Sequence, residues 1–251
     1  MIRTLIISTF LFTFNLLTVS TVGATLIGFW DFNEGIGDIA HDRSAFGNDG
    51  TGLDSTWVPG KYGFATTSDK VTVPADSSLL PTSNLTISAW ARIDEFNGLQ
   101  RRIVEMENRY GLLFNPPNVN LETPFLFNVN TDIYGFEFQK PQIGEWFHTA
   151  VAWDGSVAQF YYNGNPVPLV SVGGTINQAG GVPLFMGREG YTLDEVRIYD
   201  QALSRNDVIR DMNFDSTTNS VIPEPSSVLL LASGLAGLGL RRRQKSEKNN
   251  F

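Results

Sequence analysis

The run Leu85-Thr-Ile-Ser-Ala-Trp-Ala-Arg-Ile93 alternates Leu85, Ile87, Ala89, Ala91 and Ile93 with Thr86, Ser88, Trp90 and Arg92. A helix would scatter those apolar side chains around its circumference. A strand collects them on one face, so the segment reads as a strand with a core side and a polar side. Shorter runs of the same kind recur at Leu26 to Phe32, Lys70 to Val73, Arg102 to Met106, Tyr110 to Phe114, Phe125 to Val129, Ile133 to Phe138, Trp146 to Trp153, Ala158 to Tyr162 and Leu193 to Tyr199. Asn163-Gly164, directly after Gln159-Phe-Tyr-Tyr162, marks a tight hairpin, because both residues take positive φ at little cost. One helix stands out: Ser204 with Asp207 three residues on is a capping-box-like start, and Val208, Ile209 and Met212 form a short apolar stripe. Strands at this spacing close into a sandwich or barrel. The chain carries no repeat of about 20 to 50 residues of the kind that builds a propeller or solenoid.

Both ends are of another kind. Met1-Ile2-Arg3 is a positive start, Leu5 to Val19 is apolar, and Val22-Gly23-Ala24 is a small-residue cleavage pattern, together describing a secretory signal peptide over residues 1–24. At the far end, Pro223-Glu224-Pro225 precedes the uncharged block Val228 to Leu240 and then Arg241-Arg242-Arg243. The prolines fix two φ angles and remove two donors, so residues 221–227 are an extended, enzyme-accessible spacer. As a helix the apolar block spans roughly 20 Å, short of the ~30 Å hydrocarbon core, and the arginines hold its end on the cytoplasmic side. These three parts in this order resemble the PEP-CTERM sorting signal. The resemblance implies that signal peptidase and an exosortase-type enzyme process the two ends, leaving the mature protein in or beyond the outer envelope without a transmembrane helix. The organisation expected is a signal peptide (1–24), one domain (25–213), a linker (214–222), the sorting signal (223–245) and a polar tail (246–251).

Removing both ends sharpens the charge. Between residues 25 and 221 stand 12 Lys and Arg against 24 Asp and Glu, a net of −12 where the whole chain has −8. Nucleic acid needs a field of the opposite sign, so divalent cations, neutral glycans or simple solubility are the partners and roles left. With no cysteine, disulfides, thiolate metal sites and a cysteine nucleophile are excluded.

Six motifs follow in order: Ile27-Gly-Phe-Trp-Asp-Phe-Asn-Glu-Gly35, His41-Asp-Arg-Ser-Ala-Phe-Gly-Asn-Asp-Gly-Thr51, Leu85-Thr-Ile-Ser-Ala-Trp90, Gly144-Glu-Trp-Phe-His-Thr-Ala-Val151, Phe160-Tyr-Tyr-Asn-Gly164 and Leu193-Asp-Glu-Val-Arg-Ile-Tyr-Asp-Gln-Ala-Leu-Ser204. In that order they resemble laminin-G-like, concanavalin A-like domains over nearly all of residues 25–212. The resemblance implies an all-β fold, a two-sheet antiparallel jelly-roll sandwich with one short C-terminal helix. It implies no single function, since lectins, adhesive modules and glycosidases share the fold.

The same resemblance implies a structural calcium ion held by Asp42, Asn48 and Asp194. Ca²⁺ takes about six to eight oxygens at roughly 2.4 Å, and Gly47 and Gly50 can turn carbonyls inward. Ala45 and Phe46 depart from the usual loop. On the residues alone, Asp42 and Asn48 also suit Asx turns, with Asp194 accepting backbone hydrogens. Trp90, Arg92 and Tyr110 are the expected ligand-lining set, an indole for a sugar's C–H face with polar neighbours for its hydroxyls; Trp90 packed under a loop is the alternative. Trp30, Trp146 and Trp153 read as core or sheet-edge residues.

Catalysis is not expected. A glycosidase needs two carboxylates flanking the bond, and only Glu105 and Glu107 fall close together on one strand face, with nothing to complete the site. His41 and His148 lack triad partners. The function expected is a non-catalytic binding or adhesive module for extracellular polysaccharide or glycoconjugate. The alternatives are a structural envelope or matrix protein that binds other proteins, and a divergent glycoside hydrolase or lyase.

Overall fold

A computed structural model describes residues 23–53, 56–95, 101–114, 125–137 and 141–218. Residues 1–22 of the expected signal peptide and the whole sorting motif, Pro223 to Arg243, lie outside these. Among the described residues, no helix is long and apolar enough to cross a membrane.

The strands in chain order are β1 (Leu26–Trp30), β2 (Ile39–Ala40), β3 (Gly50–Thr51), β4 (Trp57–Pro59), β5 (Phe64–Thr66) and β6 (Val71–Val73). They continue with β7 (Leu85–Ile93), β8 (Arg101–Met106), β9 (Tyr110–Phe114), β10 (Phe125–Val129), β11 (Asp132–Phe136) and β12 (Trp146–Trp153). Then come β13 (Val157–Tyr162), β14 (Asn165–Pro166), β15 (Val170–Ser171), β16 (Leu184–Met186), β17 (Tyr191–Tyr199) and the helix α1 (Arg205–Met212). One sheet runs β14-β13-β12-β7-β17-β5-β4, with β1 also on β17 and β15 on β13; the other runs β11-β10-β9-β8-β16-β6-β3-β2. The neighbours β7 and β17, or β8 and β16, are far apart in sequence, which is what a jelly roll requires.

Every long run expected from alternation is a strand. The strands not anticipated, β2 to β5 and β14 to β16, are two or three residues long, too short to show a period. Phe32 falls outside β1 because it turns into the left-handed region at φ 48°. The hairpin is as expected: Asn163 and Gly164 take φ 49° and 72°, and the Asn163 carboxamide accepts the His148 N–H at 2.8 Å. Ser204 caps α1 by accepting the Asp207 N–H at 3.3 Å.

The core lies between the sheets. Leu85, Ile87, Ala89, Ala91 and Ile93 meet Tyr110, Leu112, Phe114, Phe125 and Phe127 there. Trp30 and Trp153 are fully buried, their indole N–H groups donating to the carbonyls of Asn48 (2.9 Å) and Val172 (2.6 Å), as a buried indole must. A second apolar cluster, Ala150, Ala152, Tyr161, Tyr199, Leu203 and Val208, seats α1 on the outer side of the nine-stranded sheet.

Candidate functional site

β7 and β17 are buried almost throughout, on the side facing away from the core as well as on the core side. The cause is the C-terminal segment: α1 and the residues after it lie across the face that carries Thr86, Ser88 and Trp90. Trp90 is only 7% exposed. Its Nε1 donates to the Met212 carbonyl at 3.1 Å, Tyr62 and His148 meet its ring edge-on at 6.4 and 5.5 Å, and Lys61 Nζ sits 4.3 Å from the ring centre. The alternation was right that Trp90 points away from the core, but the indole is packed under a helix and has no free face for a sugar. Arg92 shares that face, with Nε on Asp94 at 2.6 Å, Nη2 on Thr192 at 3.0 Å and its guanidinium 5.3 Å from the Trp146 ring. Tyr110 belongs elsewhere: fully buried in the core, it donates its hydroxyl to the Leu79 carbonyl at 2.7 Å, and burial raises its pKa. The expected lining set is therefore not one site.

The three residues expected to hold calcium are also separated in their roles. Asp42 Oδ1 accepts the N–H groups of Phe29 and Ser44, and Oδ2 accepts the Ser44 hydroxyl and the Asn48 N–H, all at 2.8 Å. Asn48 spends its amide on the Ile27 carbonyl and Ser78, and its carbonyl on Trp30. Asp194 lies in a different cradle, Oδ2 accepting the Tyr62 N–H at 3.0 Å. A carboxylate has about four lone-pair directions, and those of Asp42 are all engaged by protein donors. The trio as arranged does not fit a calcium shell, and among the described residues no group of three His, Cys, Asp or Glu is spaced for a metal. The motif instead closes the 42–48 loop by Asx-type bonds.

Under α1 the polar residues form a locked network. A bulge between Asp194 and Arg197, with Glu195 at φ 51°, lets both Asp194 and Arg197 face outward. Arg197 is fully buried; Nη2 donates to Glu195, Nε lies 3.3 Å from Asp211 Oδ1, and its guanidinium sits 4.1 Å from the Phe29 ring. Ser216 donates to the other Glu195 oxygen, while Ser88 and Tyr199 donate to Asp211. Burial pushes Glu195 up to about 7 against the pull of Arg197, and burial pulls His148 down to about 4, its two ring nitrogens unpartnered. The network ties β17, α1 and residues 213–216 together, and with Arg197 and Glu195 fully buried it is structural.

The opposite surface is different. Pairing across the eight-stranded sheet lines up Ile39, Thr51, Thr72, Phe185, Glu105, Gly111, Asn128 and Ile133 in one row. Their strand neighbours Val71, Val73, Leu184, Met186, Val104, Met106, Leu112 and Phe127 are in the core, so the row faces outward. Residues three apart on a strand normally face opposite ways. A bulge between Arg102 and Val104 resets β8, so Arg102 joins Glu105 on the outside and donates to it from Nε at 3.1 Å. Phe185 stands at the centre, with Lys70 Nζ 4.7 Å and Arg102 Cζ 5.0 Å from its ring. Next to Glu105, Gly111 leaves room for the Asn128 carboxamide: a Cβ there would lie 2.5 Å from Asn128 Oδ1. That oxygen is buried without a donor. Glu107, expected beside Glu105, is an exposed turn residue because β8 ends at Met106, so the two do not form an acid pair. Phe185 escaped sequence reasoning because a three-residue strand shows no alternation; Lys70 and Asn128 fall in or beside strands that were expected, but nothing local shows that pairing brings them to the row of Phe185.

Residues 65–209, more than half of the chain, match the family model for the concanavalin A-like lectin/glucanases superfamily. The chain belongs to this superfamily. Residues 221–243 match the PEP-CTERM protein-sorting motif, which marks an exported, envelope-sorted protein subject to exosortase processing. Among solved structures, domain 4 of AbnA, a GH43 extracellular arabinanase from Geobacillus stearothermophilus, solved in complex with arabinotriose, is similar at TM-score 0.62 and 18% identity, covering 75% of this chain and 98% of that one. The binding domain of Paraclostridial Mosquitocidal Protein 1 follows at 0.59 and 16% (75% and 52% covered), and a Trypanosoma rangeli sialidase at 0.53 and 13% (73% and 32%). The chain thus spans about half of the second and a third of the third. Curated proteins yield no match. At such identities the likeness establishes the fold, one shared by binding domains and glycosidases.

Proposed function

We propose that this protein is an exported, non-catalytic carbohydrate-binding module that seats a glycan on the outer face of its eight-stranded sheet, around Phe185. One observation supports the reading: the outer face of the nine-stranded sheet is filled by α1 and the segment after it, while the eight-stranded sheet keeps a central, partly exposed aromatic beside Thr72, Arg102 and Glu105. An aromatic ring supplies area for sugar C–H groups, and the flanking polar groups orient hydroxyls. The arabinotriose complex of the similar arabinanase domain supports the ligand class. Glu105 has Arg102 as its partner and no second carboxylate beside it in the row, so a two-carboxylate hydrolysis has no seat there. Glycan-array binding of wild type and Phe185→Ala tests this. Wild-type binding to at least one glycan class, weakened roughly tenfold by the truncation, is expected; binding to none, or release of reducing ends from a bound polysaccharide, overturns it.

A further inference from the structure

The eight-stranded sheet gathers cations around its outward aromatic, although the domain as a whole is acidic. In a domain of net −12, two cations bracket Phe185 from opposite sides: Lys70 from the β6 side and Arg102 from β8, the strands on either flank of β16. Arg102 is aimed by Glu105, which only the bulge in β8 brings to the same face. Lys70 is exposed and, among the described residues, has no carboxylate within ion-pair distance. Beyond β16 the chain turns at Gly187, whose N–H donates to the Ile103 carbonyl at 3.2 Å, and Arg188 follows directly. Among the described residues, Glu105 pairs with Arg102, while Asp69 and Glu189, the acidic sequence neighbours of Lys70 and Arg188, pair with neither Lys70 nor Arg102.

A neutral sugar platform needs no such arrangement. An exposed ammonium on a ring face is hydrated and available to an incoming anion, and cation–π contact, worth about 0.5 to 1 kcal/mol at exposed sites, positions it without neutralising it. The geometry points to an anionic polysaccharide, one bearing carboxylates such as uronic acids, as the ligand of this face, a proposal that rests on the glycan-binding reading above. A uronate presents an apolar ring face for the phenyl edge and a planar carboxylate for Lys70 or the Arg102 guanidinium. A chain of such sugars reaches both cations at once.

The test uses the full chain in mild detergent with four probes: polygalacturonate, dextran sulfate, dextran and arabinan. Titration calorimetry is expected to show polygalacturonate bound best. Binding should weaken several-fold between about 50 and about 200 mM salt, and by roughly tenfold in Lys70→Gln and in Arg102→Gln, about 1.4 kcal/mol each, with Lys70→Arg retaining most of it. Thermal melts of the variants, expected within about 2 °C of wild type for surface positions, separate lost charge from lost fold. Dextran sulfate bound more tightly than polygalacturonate would overturn the carboxylate assignment. Arabinan or dextran bound as well as polygalacturonate, unchanged in both Gln variants, would overturn the anionic class while leaving a glycan module standing. Absence of binding to all four would overturn this inference and count against the broader reading too.

Discussion

Asp194→Asn isolates the buried acid beneath the C-terminal helix. The side chain is fully buried; Oδ2 accepts the Tyr62 N–H at 3.0 Å, and Oδ1 has no hydrogen-bond donor. Burial raises its pKa to about 8 from an ordinary 3.8, the Tyr62 N–H pulling it down and the neighbouring Glu195 charge pushing it up. Across that interval the folded chain keeps a proton that the unfolded chain has released. The contribution of the group to stability is therefore complete below about pH 4 and is lost as pH rises through about 8. A gap of about four units at ~1.4 kcal/mol each gives a ceiling of roughly 5 to 6 kcal/mol. Water entering the 60–63 turn would solvate the anion and bring the loss to about 2 to 4 kcal/mol. Asn offers the same acceptor to the Tyr62 N–H and does not titrate. Urea unfolding followed by tryptophan fluorescence at about pH 5, 6, 7 and 8 should show wild type losing ground to the variant as pH rises. Glu195, raised to about 7, is coupled to Asp194, so the difference between the two chains reports the titration of the pair. Parallel pH profiles for the two chains would refute the reasoning.

Two further outcomes are expected. Arg197→Met strips the buried Glu195 and Asp211 of their counter-charge and should cost about 3 to 5 kcal/mol; a loss under about 1 kcal/mol in denaturant melts would show that the network does not hold α1 in place. If the signal peptide is cut after Ala24, the Thr25 nitrogen, 2.7 Å from Asp200 Oδ1, becomes an α-ammonium. Asp200→Asn should then destabilise the form starting at Thr25 by roughly 0.5 to 1 kcal/mol more than the uncut chain, an excess that fades above about pH 8. Equal Tm losses in both forms would remove the ion pair.

Much of the fold was legible in the chain, because long strands announce themselves by period and turns by residue type. The β7 alternation, the Asn163-Gly164 hairpin and the Ser204 cap all rest on contacts within a few residues. The site was far less legible. Phe185 sits on a strand of three residues, and Lys70 reaches it only because β6 lies beside β16, more than a hundred positions away in sequence. Glu105 was visible as an acidic strand residue, but its partner Arg102 looked to be on the other face, since nothing local reveals the bulge that turns it around.

Sequence by itself determined where the long strands lie, which of their faces is apolar, the acidity of the domain and the sorting motif that marks it for export to the envelope. Those properties follow from side-chain period, charge and short motifs, and need no knowledge of distant neighbours. Only the tertiary structure decided which polar face is open. Alternation reports that Trp90 points away from the core, but α1, more than a hundred residues downstream, is what covers it. Alternation likewise cannot see a bulge, and the two at Ile103 and Glu195 change which side chains share a face, placing Arg102 on the exposed surface and Arg197 in the buried network.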